Sequence, residues 1–363
     1  MASSIQIQDL FRAGEGPYYH YRIPGLVVTP GGRLLAYCEA RSESSDWAPS
    51  DILLRGSDDG GDTWDEPQAL ASHADYGPSC MNNPVAIADQ VTGAVHFLYC
   101  HDYGRAYYRR SNDDGRTFTE PVEITTTFAD FSPRYAWTVL AIGPGHGIQL
   151  DCGRLLAPVW LSASPTRSHD PSRTAVIFSD DHGATWHAGE LVPNTITSCS
   201  ETVALQRTDG TVLLNLRNDG DGFRRAVTVS ATGAGPWSTP RYDEALWEPR
   251  CFASLCRYDA RRVLFVNPAT LPPAEGRPRQ GGERRNLTLR VSYDEARTWP
   301  VTRVLDAGPA GYADLAASPD GQVICLYERG RHDGPRGGVA ALSLARFEID
   351  WAEGQDEPGQ SPS

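Results

Sequence analysis

The 363-residue chain contains no lysine; all 33 of its basic residues are arginine. That absence removes Schiff-base catalysis, pyridoxal-phosphate chemistry and the phosphate loop that depends on a lysine. Nor is there a basic run, and the net charge is −13, which argues against a nucleic-acid binder, whose affinity rests on neutralising phosphates. No apolar stretch approaches the ~18 residues of a membrane-spanning helix. The first twenty residues have neither a basic stretch nor an apolar one, so no secretory signal is read and a cytoplasmic location is expected. The eight cysteines show no CxxC pair and no histidine at zinc-like spacing, and are expected to be buried, reduced thiols; no metal and no cofactor are expected. Only two methionines occur, against 35 glycines and 27 prolines. What is there is core material, 10 Phe, 9 Trp and 15 Tyr within 40% hydrophobic residues, in a turn-rich chain.

Six strand pairs recur along the sequence. They open with RLLAYCEA at Arg33, AVHFLYC at Ala94, RLLAPVWL at Arg154, TVLLNLR at Thr211, RRVLFVNP at Arg261 and QVICLYE at Gln322. Their partners are ILLRGS, AYYRRS, TAVIFS, RAVTVS, LTLRVS and VAALSLARFEI. These short β-branched and aromatic runs read as strands, and no 3.6-residue period lasts long enough for a sizeable helix.

Five of the partner strands end in serine and lead into a turn motif, S-x-D-x-G-x-T-W. Residues 57–64 (SDDGGDTW) fit it, and 111–118 (SNDDGRTF) and 179–186 (SDDHGATW) match closely. Residues 292–299 (SYDEARTW) put Ala296 where glycine belongs, and 230–237 (SATGAGPW) keep only the outer Ser and Trp. In such a turn the Asp carboxylate accepts backbone N–H bonds, Gly supplies positive φ and the aromatic covers the bend. These are Asp boxes, and their carboxylates read as turn staples. They predict an all-β chain: a six-bladed β-propeller of four-stranded antiparallel blades. Residues 1–351 are expected to form that single domain, with 352–363 (AEGQDEPGQSPS) a disordered tail.

The residues that carry chemistry lie outside the boxes, in YRIP (21–24), EAR (39–41), SET (200–202), NLR (215–217), RRNLT (284–288), GYADL (311–315) and LYE (326–328). The set, in this order, resembles the sialidase (neuraminidase) family over nearly the whole chain, and GPGHGIQL (143–150) is similar to that family's entry into its third blade. The resemblance implies a retaining exo-α-sialidase that releases terminal sialic acids from glycoconjugates. Arg22, Arg217 and Arg284 would clamp the sugar carboxylate, with Arg285 as rival for the third place because the doublet leaves the register open. Charge-assisted, bidentate bonds suit guanidiniums to that task.

By the same resemblance Tyr312 is the nucleophile and Glu201 its base. Sialidases with a tyrosine nucleophile are an exception among retaining glycosidases. The physical reason is that a neutral phenol avoids the repulsion between an anionic nucleophile and the substrate carboxylate, while a pKa near ~10 makes it dependent on a base. Asp46 is the acid/base group, with Asp51 in the same loop, and Trp47 beside it could raise the acid's pKa. Glu328 would orient the first arginine. Arg41 would contact the 4-hydroxyl side of the ring together with Asn83, a position where the family often has Asp. Trp160 or its neighbours would cover the acyl or glycerol group. The clamp predicts a locally positive pocket in an acidic body. A non-catalytic sialic-acid-binding propeller and a hydrolase for a related nonulosonic acid, such as deaminated sialic acid, are the alternatives. The oligomeric state is left open.

Overall fold

The computed structural model describes residues 4–164, 170–220, 222–270, 283–331 and 338–354. It is an all-β fold. Each expected opening and its partner form adjacent antiparallel strands, from Leu34–Arg41 with Ser50–Ser57 to Gln322–Arg329 with Ala341–Glu348. Among the described residues the only helical pieces are Thr126–Ala129, Ile349–Ala352 and the short turn His73–Asp75. None is long and apolar enough to cross a membrane.

Six groups of strands follow one another along the chain. The first group is His20–Val28, Leu34–Arg41, Ser50–Ser57 and Gln68–Ala71. Later groups begin at Met81–Ala88, Val139–Ile142, Cys199–Gln206 and Ser254–Arg257. The last begins within the 17-residue strand Val301–Ala317. The strand counts differ from the expected four per group in two ways. First, the fifth and sixth groups are one seven-stranded sheet, because Val301–Ala317 pairs through its first half with Arg285–Ser292 and through its second with Gln322–Arg329. The strand continues across Gly308-Pro309 with a register shift, where Arg285 faces Pro309 and Leu287 faces Asp306. Second, the second and third sheets have five strands rather than four, since the segment at 145–149 adds a parallel pair to Met81–Ala88 and an antiparallel pair to Leu155–Ser162.

The core sits between successive groups. One cluster joins the first and second (Leu35, Tyr37, Met81, Phe97), another the second and third (Leu98, Leu140, Leu155). A further cluster joins the sixth to the first through Leu26, Ala36, Ile324 and Leu344. The strand Gln6–Arg12 pairs with Ala341–Glu348, so the beginning of the chain completes the last sheet. Seven cysteines are buried and none is bridged; Cys152 is exposed, against expectation, in the turn before Leu155. Ala352 ends a helical turn and is buried, and Glu353 pairs with Arg262, so these two of the twelve expected tail residues pack onto the body. Residues 355–363 lie outside the described residues.

The serine-led turns have the hydrogen bonds their residue types call for. In the first, the Gly61 N–H donates to Ser57 Oγ (2.8 Å), and the Thr63 N–H and hydroxyl donate to the Asp59 carboxylate (2.9 and 2.6 Å). The pattern recurs around Asp113, Asp181 and Asp294. Ala296 takes φ +59°, where Gly183 of the matching turn takes +84°. That conformation costs an L-residue about 1–2 kcal/mol; burial of the Ala296 methyl in the core between the fourth and fifth groups offsets part of it.

Candidate active site

The motif residues come together because the first strands of four groups are bulged beside them. The pairing of His20–Val28 shifts between Arg22 and Gly25, that of Met81–Ala88 between Asn82 and Val85, that of Cys199–Gln206 between Cys199 and Thr202, and that of Val301–Ala317 between Ala310 and Ala313. A bulge inserts a residue and re-aims its neighbours. Ile23 lies at φ +57°, uncommon for a β-branched residue. Its N–H donates to Glu328 Oε1 (3.2 Å), which holds the bulge in place. Gly311 is required for a different reason: a Cβ there would lie 2.1 Å from Glu328 Oε2.

Tyr312, 5% exposed, is the centre of the assembly. Its hydroxyl donates to Glu201 Oε1 at 2.5 Å and accepts from Arg217 Nη1 at 2.7 Å, and the same Nη1 reaches Glu201 Oε2 at 2.6 Å. The Arg22 and Arg284 guanidinium carbons lie 5.5 and 5.1 Å from the phenol ring centre. Three guanidiniums from the first, fourth and fifth groups therefore gather around one phenol. Of the doublet, Arg284 joins this cluster, with Nη2 donating to the Arg250 carbonyl (2.7 Å); Arg285 is exposed beside Glu283. Glu328 accepts from Arg22 Nε (2.5 Å) and from the Tyr312 N–H (3.1 Å). Arg217 Nε is buried without a hydrogen-bond partner among the described residues.

A second cluster adjoins the first. Arg41 donates through Nε and Nη2 to Glu39 Oε2 (2.8 and 2.5 Å) and through Nη1 to Asp46 Oδ1 (2.5 Å). Asn83 contributes its backbone N–H, which donates to Glu39 Oε1 at 2.7 Å, while its side chain meets Asn82. Asp51 is set apart, tied to the Tyr18 hydroxyl, Ser72 and His73. Trp47 packs against Tyr103 (4.6 Å between ring centres), and Trp160, wholly buried, also contacts Tyr103 (6.1 Å). Trp160 therefore backs this wall rather than forming its surface.

Burial above all, with Glu201 adding to it and Arg217 and Arg284 opposing, holds the Tyr312 phenol well above 10. It rests neutral. Burial also pushes Glu39 up, against the pull of Arg41. For Glu328 burial acts the same way, but the charge and hydrogen bond of Arg22 outweigh it and hold the carboxyl below its ordinary value. Buried His20 is lowered to about 4 by desolvation and by Arg22 and Arg41. Arg22, Arg41 and Arg217 are paired with Glu328, with Glu39 and Asp46, and with Glu201, while Arg284 has a backbone carbonyl as its partner.

Sequence reading assigned no role to Glu39, although its i, i+2 spacing from Arg41 puts both on one face of a strand. It also gave no signal for the Arg250 carbonyl, or for the buried pair Arg225–Glu248, whose carboxylate accepts the Asn218 N–H next to Arg217. A cavity of about 700 Å³, lined by Val28, His146, Arg257 and Ala317 among others, lies at the opposite ends of the same first strands, away from these residues.

A family model described as a BNR repeat-like domain matches residues 32–325. The chain belongs to that family. It is 30% identical to a sialidase of Micromonospora viridifaciens over 98% of this chain and 55% of the relative. It is 28% identical to a sialidase of Bacteroides fragilis over 87% of this chain and 61% of the relative. The chain thus spans little more than half the length of these curated relatives. Among solved structures, the Hadza microbial sialidase Hz136 superposes with a TM-score of 0.79 at 26% identity, covering 95% of this chain and 69% of that one.

Proposed function

We propose that the protein is a retaining exo-α-sialidase, with sialylated glycoconjugates as substrates, and that its six strand groups are the blades of a six-bladed propeller. The fold reading is supported by the core clusters between successive groups and by the cluster joining the last to the first. The functional reading is supported by the sialidase relatives and carried by one observation: Tyr312 donates to Glu201 within a ring of three guanidiniums.

In this reading Arg22, Arg217 and Arg284 hold the carboxylate on the anomeric carbon. Tyr312 oxygen bonds to that carbon as its proton passes to Glu201 and the glycosidic C–O bond breaks. Asp46 gives its proton to the departing oxygen. Water then attacks the same carbon, Asp46 takes a proton from it, the tyrosine C–O bond breaks and Glu201 returns the proton to the phenol. Two displacements at one carbon retain its configuration. Neutral Tyr312 suits the first step, because it brings no negative charge towards the bound carboxylate until its proton leaves. Arg217, touching both Tyr312 and Glu201, stabilises the phenolate character that develops.

The test is hydrolysis of a fluorogenic α-sialoside by the wild type and by Tyr312→Phe, with calorimetry of sialic acid binding alongside. Turnover by the wild type and its loss in the variant, binding preserved, is expected. Binding without turnover in the wild type would leave a glycan-binding propeller instead.

A further inference from the structure

We propose that Glu39 is a positioning residue for the acid step, acting through Arg41 to keep Asp46 aimed at the departing oxygen; this rests on the sialidase reading above. The chain of contacts is short. The Asn83 N–H, set at φ +53° in the bulge of the second group, fixes one Glu39 oxygen, and the other oxygen takes two of the Arg41 donors. The third side of the guanidinium, Nη1, meets Asp46. Glu39 and Arg41 are 0% and 1% exposed, whereas Asp46 is 46% exposed and sits on the loop between two strands. A rigid, buried pair thus holds a carboxyl that is carried on an exposed loop.

Charge makes the arrangement more than a brace. Arg41 is shared between two carboxylates, one buried and permanent in the fold, the other at the site. In Glu39→Gln the counter-charge is gone, and the one amide oxygen left must serve either the Asn83 N–H or the Nε and Nη2 donors of Arg41. Leaving buried charged donors unpaired is costly, and the remaining carboxylate is the group to which they would turn. Asp46 would then be drawn towards Arg41 as a carboxylate and away from the glycosidic oxygen. The loss falls on proton donation and not on the carboxylate clamp, which is built on Arg22, Arg217 and Arg284.

That separation gives a readout that a merely structural role would not move. A p-nitrophenyl leaving group departs with little help from an acid, whereas the sugar of sialyllactose depends on one. In Glu39→Gln, kcat/KM on sialyllactose is expected to fall at least about tenfold further than on p-nitrophenyl α-sialoside, a fraction of what a general acid contributes. Sialic acid affinity by calorimetry should fall by less than kcat/KM on sialyllactose, because Glu39 lies outside the carboxylate clamp although its partner Arg41 borders the ring. An equal fall on both substrates, or no fall on either, would overturn the proposal. If the Gln variant does not fold, Glu39→Asp, whose shorter arm withdraws the carboxylate from Arg41, is expected to show the same preferential loss on sialyllactose, and an equal fall on both substrates or none would overturn the proposal. A wild type that cleaves neither substrate defeats the sialidase reading itself, so the two failures are distinct.

Discussion

The Tyr312 hydroxyl and the Glu201 carboxylate lie 2.5 Å apart although 111 residues separate them in the chain. Neither group is unusual alone. Together, in a buried site with Arg217 on both, they form a proton donor with its acceptor already in place. Glu201→Gln keeps the shape and removes the acceptor, so kcat on a sialoside is expected to fall about 10²–10⁴-fold. Steady-state kinetics at saturating substrate check this; a variant within threefold of the wild type would move the base elsewhere.

The arginine doublet provides an internal control. Arg284→Ala removes a guanidinium beside Tyr312 and is expected to weaken sialic acid binding by about 2 kcal/mol or more. Arg285→Ala, on the exposed neighbour, should stay within about 0.5 kcal/mol. Calorimetry on both variants decides; the reverse ranking would exchange the two residues.

Glu328 links the clamp to stability. It is 2% exposed and pairs with Arg22, so Glu328→Gln is expected to cost about 3 kcal/mol at pH 7 by leaving a buried cation without its counter-charge. Because the folded protein holds this carboxyl below its ordinary value, the wild-type advantage is fully present above the unfolded value and is lost as pH falls through the lower folded one. Urea unfolding of both proteins at pH 7 and near pH 3 should show the gap narrowing; a constant gap would mean that charge is not its source.

The Asp boxes should affect stability without affecting chemistry. Asp181 accepts the Thr185 N–H and hydroxyl, and Ser179 donates to it; these bonds, the Thr185 hydroxyl first, hold its carboxyl at about 2. Asp181→Ala is expected to cost about 1 kcal/mol and to leave kcat/KM unchanged. The wild type's margin over the variant should persist down to about pH 4 and disappear towards pH 2, as the carboxylate is protonated. Thermal melts across that range, with activity assays at neutral pH, test both halves.

The strand pairs and their turns were legible in the sequence because β-branched runs, Ser–Asp spacings and positive-φ glycines are local signals. The motif residues were legible through a family resemblance, and they do share one site. Backbone contributions were not legible. Asn83 was expected beside the sugar ring; what the structure adds is its N–H bond to Glu39, made at a bulge in Met81–Ala88 that no local signal announces. Arg250 is similar, offering its carbonyl to Arg284. The continuity of Val301–Ala317 was not legible, because it is set by pairing with one strand along its first half and another along its second, and not by a local signal.

Because Gln6–Arg12 zips onto Ala341–Glu348, with Ser343 donating to Asp9 at 2.6 Å, the two ends of the chain share one seam. Peeling the leading strand away would bare the edge of the sheet that carries Tyr312 and Glu328, so clipping a few early residues should loosen a site some three hundred positions downstream.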